Sequence, residues 1–491
     1  MALQNGTLQL LFFIILFLET IKLSSCIENE KQALLKLKQG LTDPSSRLPS
    51  WVGENCCTWS GVTCNNKTRN VIGLNLRNPL TGHELGGKID PSLLDLKYLH
   101  YLDLSMNNFG GIQIPTFFGS LTKLRYLNLS GAFFGGTIPP NLGNISNLLY
   151  LDLSSLFAEL NGNDLKWTSS LSSLKYLNLG GVDLSKASSS WLQTVNMLPS
   201  LLELHLPQCQ LFSLPPTLQF INFTSLSVLG LSNNGFNTTI PHWLFNFSTL
   251  AQLDLSSNNF HGGLSRSLGK LCNLHMLKLS INEISGEYLA LWNNLFKGSI
   301  PNSIGNMSCL EELYLSNNQM GGNIPQSLGQ LKSLVVLELS ENPWESVITE
   351  AHFANLSSLR EFSIHKGFSN ISVIFHISSD WLPPFKLTYI TIASCQLGPK
   401  FPTWLRNQNE LNTLVLVNTR ISDTIPEWFW KLDLQLNELD VGFNHLRGQV
   451  PNSLRFNDLS NVDLNSNSFE GPFPLWSSNV SSLYLRNNLF S

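Results

Sequence analysis

The stretch "YLDLS" at Tyr101–Ser105 decides the fold, because it returns as "YLNLS" from Tyr126, "YLDLS" from Tyr150 and "YLNLG" from Tyr176. In each copy two leucines alternate with outward-facing residues, which is the period of a β-strand with one buried face. A single short strand cannot bury that face alone, so successive copies must stack. The recurrence predicts a solenoid in which the strands pair into one parallel sheet over a shared leucine core.

The same pattern continues over most of the chain, as L-x-x-L-x-L-x-x-N-x-L/F-x-G-x-I-P, mostly at spacings of 23 to 28 residues. This is the period of leucine-rich repeats. The "GTIP" at Gly136–Pro139 resembles the plant-specific class of these repeats. The predicted fold class is therefore α/β, a leucine-rich-repeat solenoid of plant-specific type with a concave parallel β-sheet. The strands are predicted to open at Val71, Leu99, Leu124, Leu148, Leu174, Leu201, Leu226, Leu250, Leu274, Leu310, Leu334, Leu359, Leu387, Leu411, Leu436, Leu459 and Val480.

Three segments are predicted along the 491 residues. Residues 1–25 contain the apolar run Leu8–Leu18, which has the length of a signal-peptide core and is too short to span a bilayer. Residues 26–70 form an N-terminal cap. Residues 71–491 hold about 17 repeats, irregular at 274–309, where one spacing grows to 36, and broken off in mid-repeat at the C-terminus. We expect entry into the secretory pathway and find no membrane anchor in the chain as given.

Cysteine placement predicts a disulfide-bonded cap. Four cysteines lie near the predicted mature N-terminus: Cys26, Cys56, Cys57 and Cys64. Cys56 and Cys57 are adjacent in sequence and cannot easily form a disulfide with each other, which leaves two realistic pairings. We favour Cys26–Cys56 with Cys57–Cys64. An oxidising compartment and the lack of a matching histidine pair disfavour zinc. The remaining cysteines are predicted to be buried single thiols: Cys209, Cys272, Cys309 and Cys395.

A ladder of asparagines follows the strands, at the point where the chain turns away from the sheet. An amide both donates and accepts, so it can pair backbone groups that the turn leaves without partners. Cys209 and Cys395 occupy the same slot. The predicted ladder consists of Asn107, Asn234, Asn258, Asn282, Asn318, Asn342, Asn444, Asn467 and Asn488.

The four tyrosines of the opening motif face out of the sheet, where strands about 4.8 Å apart allow a stacked row. One interpretation is that Tyr merely suits an exposed strand position. The other is a ligand-binding ledge on the concave face, flanked by Asn128 and Asn178. Its candidate ligand-binding residues are Tyr101, Asp103, Tyr126, Tyr150, Asp152 and Tyr176. We also expect one exposed, solvated column of acids, made of Asp103, Asp152, Asp254, Asp440 and Asp463.

The sequence carries acceptors for N-linked glycans but no catalytic motif. Predicted glycosylation sites are Asn66, Asn144, Asn222, Asn237, Asn246, Asn306, Asn355, Asn370 and Asn479. A tenth sequon at Asn128 lies within a strand on the concave face. We find no phosphate loop, H-E-x-x-H or G-x-S-x-G, and predict no enzyme activity, cofactor or metal. A net charge of −4 gives no basis for nucleic-acid binding.

Several blocks resemble plant receptors. "CIENEKQALLKLKQGLTDPSSRLPSWVGENCCTWSGVTC" (Cys26–Cys64) resembles the N-terminal cap of plant leucine-rich-repeat receptors. "NPWESVITEAHFANLSSL" (Asn342–Leu359) and "ISDTIPEWFWKL" (Ile421–Leu432) resemble receptor-like proteins of the group that senses fungal ethylene-inducing xylanase. In the cap, Leu34, Leu37 and Leu41 are predicted to share one helical face, while two tryptophans close the first coil.

The resemblance implies a type I plasma-membrane protein of innate immunity, with a repeat ectodomain that binds a microbial protein, peptide or glycan elicitor and signals through co-receptor kinases. Two alternatives stay open at this point. One is a secreted inhibitor of a cell-wall-degrading enzyme, similar to polygalacturonase-inhibiting proteins. The other is the ectodomain of a leucine-rich-repeat receptor kinase.

Overall fold

The computed structural model describes residues 26–79, 82–155, 160–222, 224–280, 295–366, 372–452, 455–476 and 480–491. The predicted signal peptide, ladder residue Asn282 and the sequons at Asn370 and Asn479 lie outside these ranges. Two units make up the chain. Unit 1 covers Met1–Ser213 and Phe220–Leu226, and unit 2 covers Leu214–Gln219 and Ser227–Ser491.

Unit 1 begins with the cap. Helix α1 (Glu28–Gly40) buries Leu34 and Leu37, as the helical period predicts. The prediction for Leu41 is wrong: the helix ends at Gly40, and Leu41 opens the short strand β1. Trp51 and Trp59 are buried, with their rings stacked at a centroid distance of 5.6 Å.

Both favoured disulfides are present in the cap. Cys26 bonds Cys56 with a Cα–Cα distance of 5.3 Å, and Cys57 bonds Cys64 at 5.5 Å. The sulfurs of Cys26, Cys56 and Cys57 lie within 4.8 Å of one another, which is the spacing of a metal site. Because all three belong to disulfides, these sulfurs serve as cross-links.

The main sheet of unit 1 has the strand order β2, β3, β5, β6, β8, β10, β11, with the ranges given below. All neighbours pair in parallel except β2, which is antiparallel to β3. Pairing follows the repeat without a shift, so that Tyr101 lies opposite Tyr126 and Tyr126 opposite Tyr150. The strands of unit 1 are β1 (Leu41–Thr42), β2 (Val62–Cys64), β3 (Val71–Asn75), β4 (Gly86–Gly87), β5 (Tyr101–Asp103), β6 (Tyr126–Asn128), β7 (Gly136–Thr137), β8 (Tyr150–Asp152), β9 (Leu160–Asn161), β10 (Tyr176–Asn178) and β11 (Glu203–His205).

Unit 2 repeats the same plan, with a parallel main sheet and small parallel pairings beside it. Its strands are β12 (Val228–Gly230), β13 (Gln252–Asp254), β14 (His261–Gly262), β15 (Met276–Lys278), β16 (Leu295–Gly298), β17 (Glu312–Tyr314), β18 (Gln319–Met320), β19 (Val336–Glu338), β20 (Ser346–Ile348), β21 (Glu361–His365), β22 (Val373–Phe375), β23 (Tyr389–Ala393), β24 (Thr413–Val417), β25 (Gln435–Asp440), β26 (Arg447–Gly448), β27 (Arg455–Asp463), β28 (Ser468–Gly471), β29 (Val480–Tyr484) and β30 (Leu489–Phe490).

In most coils of the described residues the chain returns to the next strand through a short helix, usually one turn of 3-10 helix. Two short α-helices take this place, α2 (Trp191–Val195) in unit 1 and α3 (Glu427–Trp430) in unit 2. The 3-10 helices are Cys56–Thr58, Pro91–Asp95, Thr116–Ser120, Pro140–Asn144, Lys166–Ser170, Ser185–Ala187, His242–Asn246, Arg266–Lys270, Asn302–Asn306, Gln326–Gln330, Glu350–Phe353 and Thr403–Asn407.

The core of each unit is a column of leucines, and the asparagine ladder lies beside it. Leu102, Leu127 and Leu151 have no exposed surface. Asn107 donates from Nδ2 to the carbonyl of Leu76 in the previous coil at 2.9 Å, and its Oδ1 accepts from the backbone of Leu85. The predicted role of the ladder is thereby confirmed for the described members.

The G-x-I-P segment forms a second set of strands that the sequence did not predict. In unit 1, β7 pairs with β9 in parallel; in unit 2, β14, β16 and β18 pair in the same way. Glycine makes the turn possible here, since Gly136 has φ of +73°. The coils that carry these short strands are therefore joined to a neighbour both by the main sheet and by a smaller one.

The structure differs from the sequence prediction at Leu459 and at two cysteines. The strand predicted to open at Leu459 begins at Arg455, and Leu459 itself is 81% exposed, whereas Ser460 is buried where the register of β27 shifts. Among the single cysteines, Cys209 and Cys395 are buried in the ladder as expected, whereas Cys272 is exposed and Cys309 partly exposed. Both exceptions lie in the links between helix and strand, where side chains leave the core.

Of the region predicted to be irregular, 274–309, residues 281–294 lie outside the described ranges. On either side of that segment the stacking continues. Strand β15 pairs directly with β17, with Met276 opposite Glu312, and β16 pairs with β14. Among the described residues, no helix is long and apolar enough to cross a bilayer.

Candidate ligand-binding surface

The four tyrosines of the opening motif form a stacked row on the outward face of the unit 1 sheet. Ring centroids are 4.3 Å apart from Tyr101 to Tyr126, 4.3 Å from Tyr126 to Tyr150, and 4.1 Å from Tyr150 to Tyr176. The interplanar angles are 13° or less. We call these four residues the tyrosine row.

This row follows from register. Because β5, β6, β8 and β10 pair without a shift, the residue before each buried leucine falls beside its counterpart. The rings are closer than the usual strand spacing of about 4.8 Å, so they lean together and cover one another's faces. All four residues remain partly exposed, and the surface they offer consists of ring edges and hydroxyl groups.

The acidic and amide residues two positions further on hold the strand ends. Asp103 Oδ1 accepts from the backbone and hydroxyl of Ser105, at 2.9 and 2.6 Å. Asn128 and Asp152 make the same pair of bonds to the serines that follow them. The predicted exposed acidic column is therefore wrong in unit 1, where Asp103 and Asp152 are 3% and 6% exposed. One oxygen of each carboxylate is committed to a turn.

The second carboxylate oxygen connects this column to the tyrosine row. Tyr101 donates its hydroxyl to Asp103 Oδ2 at 3.2 Å, and Tyr150 donates to Asp152 Oδ2 at 3.5 Å. Burial, followed by the neighbouring carboxylate, raises the pKa of both phenols above the ordinary value. Burial also raises the pKa of Tyr176. These hydroxyls therefore stay protonated at physiological pH and can donate hydrogen bonds.

His205 extends the row in a way the sequence did not predict. Its ring centroid lies 5.2 Å from that of Tyr176, at an interplanar angle of 40°. Glu203 occupies the tyrosine position of β11, and its carboxylate lies 3.4 Å from His205 Nε2. The strand register could have predicted this contact, because His205 pairs with Asn178 and therefore lies diagonally across from Tyr176.

The row ends at Tyr101 on its other side. Gly73 of β3 lies opposite Tyr101 and brings no side chain to that position. A Cβ at Gly73 would be 3.3 Å from the Cβ of Thr63 and 3.7 Å from that of Tyr101. Beyond Gly73, Thr63 of β2 is the next residue with a side chain in the sheet.

Unit 2 has a different outward face. Its corresponding positions carry Glu312, Val336 and Glu361, and Lys278 lies 5.1 Å above the ring of Tyr314. Burial, then the charge of Glu312, raises the pKa of Tyr314 to about 12. The stacked row of four rings belongs to unit 1 among the described strands.

Most described sequons are exposed to solvent. Asn66, Asn144, Asn237, Asn246, Asn306 and Asn355 are exposed, and Asn222 is partly exposed. Asn144, Asn246 and Asn306 each end a 3-10 helix. By contrast, Asn128 is buried at 9% exposure, and its amide oxygen holds Ser130.

The repeats and the cap define a class of protein, and family comparisons agree with it. The chain matches the family descriptions "Leucine rich repeat N-terminal domain" at residues 27–65 and "Leucine-rich repeat region" at residues 289–427. "Leucine Rich Repeat" matches at residues 98–121, 123–145, 225–247 and 249–271. The molecule is a leucine-rich-repeat solenoid with an N-terminal cap.

Whole-chain relatives narrow the class. Receptor-like proteins EIX1 and EIX2 of Solanum lycopersicum are 33% and 34% identical to this chain over 95% of its length. Receptor-like protein 14 of Arabidopsis thaliana is 31% identical over 95%. The chain belongs to the plant leucine-rich-repeat receptor-like proteins. It spans 57% of each tomato relative and 45% of the Arabidopsis one.

Solved structures share the fold. The structure titled "Crystal structure of PEPR1-AtPEP1" aligns with a TM-score of 0.61 at 26% identity, covering 94% of this chain and 72% of that one. A TDR receptor aligns with a TM-score of 0.62 at 23% identity, covering 90% and 82%. The second likeness concerns the fold alone.

Proposed function

We propose that this chain is the ligand-binding part of the ectodomain of a plant cell-surface receptor-like protein that acts in defence. Its ligand is a microbial protein, peptide or glycan elicitor, and the complete receptor signals through co-receptor kinases. The observation that carries this proposal is the tyrosine row, a preformed and partly exposed aromatic surface on the sheet of unit 1.

A stacked row is suited to recognition because little order has to be created on binding. Each ring is already held by its neighbours, and Tyr101 and Tyr150 are further fixed by Asp103 and Asp152. Tyrosine supplies a large contact area at a low cost in side-chain entropy. The ligand meets a line of ring edges and protonated hydroxyls, so we expect it to supply hydrogen-bond acceptors along that line.

The chemistry we propose is binding without catalysis. A carboxylate pair at a glycosidase-like spacing needs free oxygens for proton transfer or nucleophilic attack. Here Asp103 and Asp152 each commit one oxygen to the following serine and direct the other to a tyrosine hydroxyl. Their geometry fits support of the aromatic surface.

Two further observations support the proposal. The tomato relatives carry the name receptor-like protein, and the PEPR1 structure is titled as a complex with AtPEP1. In addition, the two disulfides of the cap fit an oxidising compartment, which agrees with the proposed signal peptide and extracellular location. The cap and repeat boundaries at residues 26–70 and 71–491 belong to the same proposal.

The test is a binding measurement on the full chain secreted from plant cells, with purified fungal xylanase, a fungal peptide digest and chitin oligomers as separate probes. For a probe that binds, the double variant Tyr126→Ala, Tyr150→Ala is expected to lose at least about tenfold in affinity, since two central rings of the row are removed. Tyr389→Ala in unit 2 is the matched control and should bind like the wild type.

Replacing the same two tyrosines by Phe separates the contribution of the aromatic rings from that of the hydroxyl groups. That variant keeps the stacked rings and removes two hydroxyls, so we expect a smaller loss than with Ala. Unchanged affinity in the alanine variant would reject the tyrosine row as the binding surface. Inhibition of xylanase turnover by the wild type would favour the secreted-inhibitor alternative.

A further inference from the structure

Two cysteines of unit 2 lie in neighbouring coils, one residue out of register with each other. Because Met276 pairs with Glu312, Cys309 aligns with Asn273, the residue that follows Cys272. Cys272 is in the link between the 3-10 helix Arg266–Lys270 and β15, and Cys309 is in the equivalent link before β17. We propose that Cys272 and Cys309 form a third disulfide, which fastens the coil before residues 281–294 to the coil after them.

The two links are in contact on both flanks. On the helix side, Ser303 Oγ donates to the carbonyl of Arg266 at 2.8 Å. On the strand side, His275 Nδ1 lies 3.3 Å from Glu311 Oε1, and Met276 pairs with Glu312. The two links therefore run beside each other between these contacts.

Equivalent positions in other coils show how close the two side chains are. Cys309 lies three residues before Glu312, the first residue of its strand. In other coils the residue three positions before the first strand residue is Asn273, Ser333 or Asn147. Each of these side chains donates to a backbone carbonyl of the preceding coil: Asn273 to Ser248 at 2.6 Å, Ser333 to Ser308 at 3.1 Å, and Asn147 to Thr122 at 3.0 Å. In every case the accepting residue lies four positions before the first residue of its own strand.

Cys272 occupies that carbonyl-bearing position in the coil before Cys309. The side chain of Cys309 therefore extends toward the backbone of Cys272. Neighbouring strands lie about 4.8 Å apart, and disulfides join Cα atoms about 4.4 to 6.8 Å apart. The Cys272 sulfur lies 3.7 Å from the carbonyl of Gly269, and rotation about its Cα–Cβ bond redirects it to the neighbouring coil.

Accessibility suits the same reaction. Cys272 is exposed and Cys309 partly exposed, whereas Cys209 and Cys395 are buried and their thiols donate hydrogen bonds to backbone carbonyls. The Cys272 thiolate attacks the disulfide of a secretory-pathway oxidoreductase and forms a mixed disulfide. The Cys309 thiolate then attacks the Cys272 sulfur and expels the oxidoreductase as a thiolate. In total two thiols lose two electrons and two protons, which reduce the oxidant.

The test is peptide mapping of the full chain secreted from plant cells. The protein is denatured without reductant, alkylated, deglycosylated and cut with trypsin, which releases Cys272 within residues 271–278 and Cys309 within residues 298–332. We expect these two peptides to be linked before reduction and to separate after it. Cys209 and Cys395 should be alkylated without reduction, which verifies that free thiols are detected.

The variants Cys272→Ser and Cys309→Ser complete the test. In each, the remaining partner is expected to become alkylated without reduction, while the Cys26–Cys56 and Cys57–Cys64 links persist. Recovery of both peptides fully alkylated from the unreduced wild type would overturn the proposal. A disulfide-linked dimer through Cys272 would overturn it as well.

Discussion

At the scale of single residues, the asparagine ladder shows how one side chain serves two coils. Asn258 has no exposed surface; its Nδ2 donates to the carbonyls of Leu231 in the previous coil and of Leu255 and Ser256 in its own. Its Oδ1 accepts from the backbone of Phe236 at 3.3 Å. Buried backbone groups that lose such partners cost free energy, because no water can replace them.

We therefore predict that Asn258→Ala lowers the free energy of unfolding by about 1–3 kcal/mol, since it leaves these groups unpaired. Chemical denaturation, with hydrogen exchange of residues 231–258, measures the loss. The neighbouring Asn259→Ala is the control, because Asn259 is only partly buried. An equal effect of both substitutions would contradict the special role of the ladder position.

Asp440 offers a test of pH dependence at the same scale. Its Oδ1 accepts from the backbone of Gly442 at 2.9 Å, and burial, with the nearby Asp463, raises its pKa from 3.8 to about 6. The folded state thus holds this proton more tightly than the unfolded state. The contribution of this carboxyl group to stability therefore falls as pH rises from about 4 to about 6.

Asp440→Asn removes that dependence and keeps the turn, as Asn128 does in its own coil. We predict that the variant gains stability relative to the wild type between pH 4 and pH 6 and keeps the advantage at pH 7. Thermal midpoints measured across this range test the prediction. The exposed Asp458 provides the control, Asp458→Asn; a parallel trend in both variants would assign the effect to net charge.

At the scale of secondary-structure elements, glycines set the distance between successive 3-10 helices. A Cβ at Gly143 would lie 2.4 Å from the carbonyl oxygen of Trp167 in the next coil. The equivalent distances are 2.2 Å from Gly119 to Asn141 and 2.5 Å from Gly269 to Ser303. These positions require glycine because the next backbone occupies the place of a side chain.

Gly143→Ala is accordingly predicted to destabilise unit 1 by about 1–3 kcal/mol, since the helix of the next coil has to move away. Gly263→Ala is the matched control, because its Cβ would meet nothing closer than 3.4 Å, at the carbonyl of Lys297. Thermal unfolding of both variants gives the comparison. A loss at Gly263 as large as that at Gly143 would show that close approach is not the cause.

At the scale of the whole molecule, glycan acceptors and the sheet face are kept apart. The exposed sequons at Asn144, Asn246, Asn306 and Asn355 lie at or just after the 3-10 helices. The sequon at Asn128 lies next to the tyrosine row, and its side chain is buried. Within unit 1, a glycan at Asn144 lies at the end of a 3-10 helix and not on the strands that carry the tyrosine row.

We predict that glycopeptide mapping of the secreted protein finds glycans at those four asparagines and none at Asn128. An N-glycan attaches to the amide nitrogen, and in Asn128 that atom belongs to a buried side chain and donates to the Tyr126 hydroxyl at 3.3 Å, so chains that carry a glycan there should fail to fold and be secreted. Asn144 serves as the internal control, because it has the same acceptor motif on an exposed helix end. A glycan found on Asn128 of folded protein would contradict this assignment.

Residues that repeat with the coil were predictable, whereas those that depend on a neighbouring coil were only partly so. The tyrosine row followed from an equal register, and the cap disulfides are the favoured one of the two pairings that the cysteine spacing left open. His205 was missed because it joins the row from the adjacent column, and the exposure of Leu459 because the register of β27 shifts near it. The burial of Asp103 was missed because its serine partner is recognisable only once the turn is formed.

The sequence by itself determined the repeat, the strand positions, the leucine core and the asparagine ladder, since each arises from the periodic pattern within one coil. Only the tertiary structure decided how closely the coils approach. That distance places the carbonyl oxygen of Trp167 where a side chain at Gly143 would lie, and it sets the tyrosine ring centroids 4.1–4.3 Å apart. The physical reason is that spacing between coils results from the packing of all side chains between them, and no single repeat encodes it.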